Sequence, residues 1–236
     1  MGHAISRTGS SPLALAAVSV AQMQRIDDAA IHTIGIPRVL LMDHAGQALA
    51  RAVQTLRTNR PGPILVCCGT GYNGGDGLSA AWHLFQQACQ PQVMLAGEAA
   101  RLREEPAVYA RILSALSVPV IEAGSADALT EIAQRLERAS VVVDALLGIG
   151  LQGDVRPLYA RVIDLMNASR KPLVSADVPS GLDADTGRPH GVAVKATVTV
   201  AFGCAKRGFF LGDGPAHVGR VVVEDIGIPR TLLTSA

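Results

Sequence analysis

The chain has almost no surplus charge: among 236 residues, 21 basic and 20 acidic side chains leave a formal +1. That balance offers nucleic acid or an anionic membrane no global field, although a small anionic ligand needs only a local one. Cysteine is scarce as well. Cys67, Cys68, Cys89 and Cys204 show neither the pairing of a disulfide scaffold nor the recurring spacing of a zinc site. Neighbours in a strand point to opposite faces, so Cys67 and Cys68 would part, and a reducing, cytoplasmic setting is the simpler expectation. Long apolar runs are missing: LALAAVSVA, 13–21, is too short to span a bilayer, and a soluble protein is expected. Arg7 and nearby small residues give this stretch a faint signal-peptide character, countered by the helical periodicity that starts at once. No G-x-S-x-G marks a nucleophile elbow, and no Walker A lysine closes a glycine loop.

What is present is a large apolar fraction, 49% hydrophobic, enough for one sizeable core. Residues 1–18 read as an unstructured or appended start, and 19–236 as a single domain. Periodicity predicts helices over 19–34, 38–56, 78–88, 104–116, 127–139 and 155–169. It predicts strands over 64–68, 91–96, 118–123, 141–144 and 172–177. Such alternation implies an α/β fold, a Rossmann-like three-layer sandwich with a mainly parallel sheet and helices on both faces. The β-rich stretches 192–203 and 219–229, with no room for a long helix between them, predict extra edge strands at the carboxyl-terminal end.

Ligands of open parallel sheets bind beyond the carboxyl ends of the strands. Three glycine-rich loops fall there: GTGYNGGDG (69–77), DALLGIGLQGD (144–154) and ADVPSGLDADTG (176–187). The first contains the dinucleotide pattern G-x-G-x-x-G at Gly69, Gly71 and Gly74. Two faults weaken it as a hydride-transfer site: Gly75 and Gly77 delay the helix, and no acid ends PQVMLA to hold a ribose. Asp76 would repel phosphate, and its favoured role is to cap the start of the helix. Asn73 reads either as a turn residue or, through its carbonyl oxygen, as a cation ligand. Asp144, Asp177 and Ser180 stand at matching strand ends, where they cap turns or join Asn73 in an all-oxygen site for a hard cation. No histidine or cysteine lies in these loops, which argues against zinc. Lys206 follows a strand and either faces solvent or reaches the same edge. Asp183, Asp185 and Thr186 read as turn formers, and His32, His44 and His83 as fillers of helix faces.

Six blocks in order, LLMDHAG, GTGYNGGDG, VVDALLGIGLQGD, SADVPSGLDADTG, TVTVAFGCAKRG and VEDIGIP, make the chain from about Val20 to Pro229 resemble the NAD(P)H-hydrate epimerase family, the YjeF N-terminal domain type. The resemblance implies an isomerase that interconverts the R and S forms of NADHX and NADPHX, reduced dinucleotides hydrated at C6 of the nicotinamide. It implies one potassium ion per subunit on Asn73, Asp144 and Ser180, and a homodimer. Substrate would be contacted by Tyr72, Asn73, Gly74, Gly75 and Asp76, by Gly148, Ile149, Gly150, Leu151, Gln152, Gly153 and Asp154, and by Asp177. Asp177 is the expected acid and base, assisted by Lys206. The functional partner would be an ADP- or ATP-dependent dehydratase, and neither nucleic acid nor membrane is expected. Two positions depart from the family pattern. Tyr72 replaces a usual asparagine and adds a ring at the loop tip, and LMDHAG, with Asp43 and His44, stands where LMENAG is usual, so His44 is expected to change what the amino-terminal helices contribute to the pocket. Ala236 comes seven residues after GIP, so the chain reads as a stand-alone epimerase or the amino-terminal part of a longer protein. The alternatives are a non-catalytic ligand-binding or scaffold protein of the same fold, and a different nucleotide-dependent enzyme such as a Rossmann dehydrogenase.

Overall fold

Short β-branched runs with no polar alternation demand burial on both faces, and each becomes a strand of one parallel sheet. In the computed structural model, which describes residues 17–58, 60–102, 104–124 and 126–234, these are β1 (Ile64–Cys68), β2 (Pro91–Leu95), β3 (Val120–Glu122), β4 (Val141–Ala145), β5 (Leu173–Ala176), β6 (Val198–Phe202) and β7 (Arg220–Glu224). Their order is β3-β2-β1-β4-β5-β6-β7, and every pairing is parallel. The sheet is therefore wholly parallel. Of the two extra strands, β6 lies inside the sheet and β7 alone forms that edge.

The helices are α1 (Val20–Asp28), α2 (Arg38–Arg57), α3 (Tyr72–Gln86), α4 (Glu104–Ala115), α5 (Ala126–Arg138), α6 (Pro157–Ser169) and the short α7 (Gly214–His217) and α8 (Arg230–Thr234). Ile64, Val66, Cys68, Val141, Val143 and Val200 face a core shared with α1 to α4. Their sequence neighbours Leu65, Cys67 and Val142 face a second core under α5 and α6. Adjacent Cys67 and Cys68 do part to opposite faces, and all four cysteines are free and buried. No helix among the described residues is long and apolar enough to cross a membrane.

Two local features shape the amino-terminal layer. Ser19 opens α1 with a capping box: its hydroxyl accepts from Gln22 N (3.2 Å) while Gln22 Oε1 accepts from Ser19 N (2.9 Å). The continuous helix expected to Ile34 instead widens into a π turn at Ala29–Thr33, where Ile34 N donates to Ala29 O at 2.9 Å. Of the expected unstructured start, residues 1–16 lie outside the described residues. Val18 is buried and bridged to Lys206: its N–H donates to Ala205 O (2.9 Å), and its carbonyl accepts from Arg207 N (3.0 Å).

Candidate active site

The strand order reverses between β1 and β4, and loops leaving two strands that diverge at a switch point open a crevice between them. A cavity of about 950 Å³ occupies that place, large enough for an extended ligand of several rings. Its walls include Thr70, Tyr72, Asn73 and Asp76 after β1, Leu146 to Gln152 after β4, Asp177 after β5 and Phe202 at the end of β6. From the helical layer, Met23, Asp27, Ile31, Arg38 and Met42 close over it.

The glycine loop after β1 is shorter than its sequence suggests. Helix α3 begins at Tyr72, with Gly71 as N-cap, so YNGGDG forms its first turns; the expected start at 78 is six residues late. Two close approaches explain how a helix rich in glycine forms there. A Cβ on Gly69 would lie 2.0 Å from Leu146 O, and one on Gly74 would lie 1.8 Å from Gly69 O. The glycines thus let backbone meet backbone, and packing overrides their poor helix propensity. The N–H groups of the first turn are left without partners in the helix, and at this end Gly71, Tyr72 and Asn73 line the cavity, a setting that suits an anionic ligand. Gly74→Ala is expected to destabilise the fold by about 3 kcal/mol, because rigid main chain must move. A urea titration with unchanged m-value measures it; a midpoint equal to that of the parent protein would refute the packing argument.

Asp76 does not cap this helix. It is the fifth residue of α3, the N-cap makes no side-chain hydrogen bond, and the carboxyl group lines the cavity instead. Desolvation pushes its pKa well above the usual carboxylate range, with further upward pressure from the charges of Asp177 and Asp27. Asp27, unforeseen in the sequence, is pushed up to about 6 by desolvation first and Asp177 second, against the lowering influence of Lys206 and Arg38. Its signal was an acid sharing a helix face with buried Met23 and Ala30, four and three residues away.

Asp177 lies on the cavity floor, with Lys206 buried behind it. Lys206 is completely buried and ion-paired to Asp177 Oδ1, while its ammonium also donates to Phe202 O at 3.2 Å. Solvent-facing, the default for a lysine, is thus excluded. Phe202 N donates to the same Asp177 oxygen at 3.0 Å. Among the described residues, no donor reaches Asp177 Oδ2. The residue itself sits at φ +62°, a left-handed conformation that Asp tolerates better than most residues and that turns the chain sharply out of β5.

Behind this floor, Asp144 is fully buried in β4. The parallel register sets it beside Ser175, whose hydroxyl donates to Oδ2 at 2.8 Å. Ser180 donates twice, N–H to Oδ2 at 2.9 Å and Oγ to Oδ1 at 2.5 Å, and Leu146 N reaches Oδ1 at 3.4 Å. Burial raises the Asp144 pKa, and these hydrogen bonds oppose the rise. Ser180 Oγ also accepts from Leu147 N at 2.9 Å. Next to it, Asn73 carries a buried amide nitrogen without a partner and packs so close that a Cβ on Gly148 would stand 3.3 Å from the Asn73 side chain. Ser180, bonded to Asp144, thus bonds Leu147, and Asn73 packs on the next residue, Gly148. An unpartnered amide, whose oxygen and nitrogen are interchangeable by a flip, beside carboxylate and hydroxyl oxygens fits a hard monovalent cation.

Of the other expected substrate contacts, Tyr72, Gly148, Ile149, Gly150, Leu151, Gln152 and Asp154 line the cavity, whereas Gly74, Gly75 and Gly153 do not. Tyr72, 45% exposed, has Arg38 over its ring at 4.3 Å from the centroid and its hydroxyl bonded to Glu104. That bond is the main reason its pKa is raised. His44 does not enter the cavity: its Nδ1 bonds Ile226 O at 2.9 Å. Asp43 bonds His83 (3.0 Å) and Tyr109 (3.1 Å), so both substitutions in LMDHAG serve packing between helices and the β7 loop. Asp183 forms the expected turn, accepting from Asp185 N (2.9 Å) and Thr186 N (2.7 Å), and Asp185 reaches out to Val20 N at 2.8 Å.

A parallel sheet of Rossmann order, with an acid-lined cavity over its switch point, defines a Rossmann-like α/β protein. Residues 39–208 match the family described as YjeF-related protein N-terminus, and the chain belongs to that family. It is 44% identical over 199 residues to the bifunctional NAD(P)H-hydrate repair enzyme Nnr of Pyrobaculum aerophilum, covering 83% of this chain but 39% of that protein. With the NAD(P)H-hydrate epimerase of Limosilactobacillus fermentum it shares 38% identity over 209 residues, covering 89% of this chain and 96% of the relative. The crystal structure of yeast ynu0 superposes with a TM-score of 0.78 at 26% identity, covering 92% of each chain.

Proposed function

We propose that this protein is an isomerase that interconverts the R and S forms of NADHX and NADPHX in metabolite repair, as the names of its epimerase and repair-enzyme relatives suggest. The observation that carries the chemistry is an aspartate on the cavity floor with one oxygen fixed by a buried lysine and the other left open. The substrate carbon C6 bears a hydroxyl beside the ring nitrogen. The nitrogen lone pair can expel that hydroxyl as water once it is protonated, leaving a planar iminium. Water then adds to either face and loses a proton. Asp177 exchanges a proton in these steps. Lys206 and Phe202 N–H hold it in place.

Apolar residues around the floor, Phe202, Leu146 and Ile226, exclude bulk water from the iminium. The N-terminus of α3 and the cations of Arg38 and Arg156 suit the anionic pyrophosphate. Asn73, Asp144 and Ser180 would hold a potassium ion, which when bound supplies a fixed positive charge at the junction of three loops. The protein would work beside an ADP- or ATP-dependent dehydratase that consumes one epimer.

The test mixes the purified protein with R-NADHX and a separate S-specific dehydratase and follows the return of NADH absorbance, with potassium and with sodium in its place. Acceleration over the spontaneous rate, stronger in potassium, is expected. A trace no faster than the protein-free control would leave a ligand-binding protein without turnover.

A further inference from the structure

Inverting a planar iminium poses a geometrical demand that one carboxyl group meets poorly. The hydroxyl leaves from one face, the incoming water must be deprotonated on the other, and a group fixed by a buried lysine cannot swing between them. Asp177 is so fixed. Among the cavity's other carboxyl groups, Asp27 on α1 comes from a different layer of the fold and lines it together with Asp177. Among the described residues, Asp27 takes no hydrogen bond, although it shares its helix face with buried Met23 and Ala30. A polar group in that setting weakens the helix's packing and secures nothing structural. The π turn at Ala29–Thr33 begins two residues later, and such insertions recur where a helix serves a site.

Resting on the epimerase reading above, we propose that Asp27 is a second acid–base residue, pairing with Asp177 so that each carboxyl group serves one face of C6. In one direction Asp27 gives its proton to the departing hydroxyl as the C6–O bond breaks and the nitrogen lone pair forms C=N. Water attacks the opposite face, the C=N electrons return to nitrogen, and Asp177 takes the proton of the entering water. One water leaves and one enters, and a single proton has moved from Asp27 to Asp177. The reverse epimerisation returns it. The active form in both directions is the pair with one proton.

The charged groups facing Asp27 set where that proton is lost. Asp177 and, on its own helix, Asp28 disfavour ionisation, Lys206 and Arg38 on α2 favour it, and Asp76 on α3, itself raised well above the usual carboxylate range, adds no charge there. With burial, the balance puts Asp27 at about 6. The rate constant kcat/KM of the parent protein should therefore fall as pH rises beyond about 6, because the pair loses its last proton.

The experiment compares the parent protein, Asp27→Asn and Asp27→Glu in the coupled assay from pH 6 to 9, subtracting the spontaneous rate. Asp27→Asn should lower kcat by about 10² with little change in KM and lose the limb near pH 6, and Asp27→Glu should recover part of both. A thermal scan supplies a readout independent of turnover. The raised carboxyl opposes folding above its own pKa but not below the unfolded value near 4, so Asp27→Asn should melt about 3 °C higher at pH 8 and unchanged at pH 4. A parent protein with no activity would overturn the epimerase reading and this pairing with it. An active parent with Asp27→Asn at full rate, or with the same pH limb, would overturn the pairing alone. So would identical melting shifts at both pH values.

Discussion

Lys206→Met should destabilise the protein by roughly 3–5 kcal/mol, the cost of leaving a buried charge without its partner. Lys206 has no exposed surface, and the side chain of Asp177 is 13% exposed, so water cannot take over the role of the ammonium. Phe202 O would lose its ammonium donor in the same step. Adding Asp177→Asn should recover part of the loss, since a neutral amide no longer needs a counter-ion; the double variant should therefore be more stable than Lys206→Met alone. Urea denaturation of both variants decides the matter. A loss below about 1 kcal/mol in Lys206→Met would mean that the pair contributes no more than an exposed salt bridge.

Asp177→Asn alone should lose turnover, by roughly 10³-fold in kcat with KM little changed, and should also lose some stability, because the buried Lys206 ammonium keeps only neutral acceptors. The amide is isosteric, and its oxygen can still accept from Phe202 N–H and from Lys206 in the place of Oδ1. What disappears is the basic oxygen that exchanges a proton. The same preparation should still bind the dinucleotide, because the α3 N-terminus and the arginines are untouched. In H₂¹⁸O the parent protein should deliver product carrying one solvent oxygen at C6, and the variant only as much as the spontaneous reaction does. A near-parental rate in Asp177→Asn would remove Asp177 from the chemistry.

Much of the scaffold was legible because burial on both faces leaves a plain mark, as in ILVCC and VVVDA, and because those runs alternate with helical stripes. The positions of Asp144 and Asp177 at the carboxyl ends of β4 and β5 followed from the same marks. The start of α3 was not legible, since YNGGDG has the composition of a loop. Only tertiary contacts with Leu146 O and Gly69 O show why those glycines are helical. Asp76 was misplaced for the same reason: a cap and a fifth helical residue differ only in where the helix begins. Lys206 was open between solvent and sheet edge because a lysine's burial depends on a partner distant in sequence, here 29 residues away. Asp27 escaped because its one local mark, a helix face shared with Met23 and Ala30, does not distinguish an acid over a cavity from one at the edge of a packed face.

The bridge between Val18 and Lys206 has a mechanical consequence. Two backbone hydrogen bonds, to Ala205 O and from Arg207 N, hang the leading end of α1 from the residues on either side of the buried lysine. The cover of the cavity is thus spliced to its floor, and lifting α1 strains the same short piece of chain that carries Lys206. The backbone that carries Lys206 is thus fastened on both sides to the segment that opens α1.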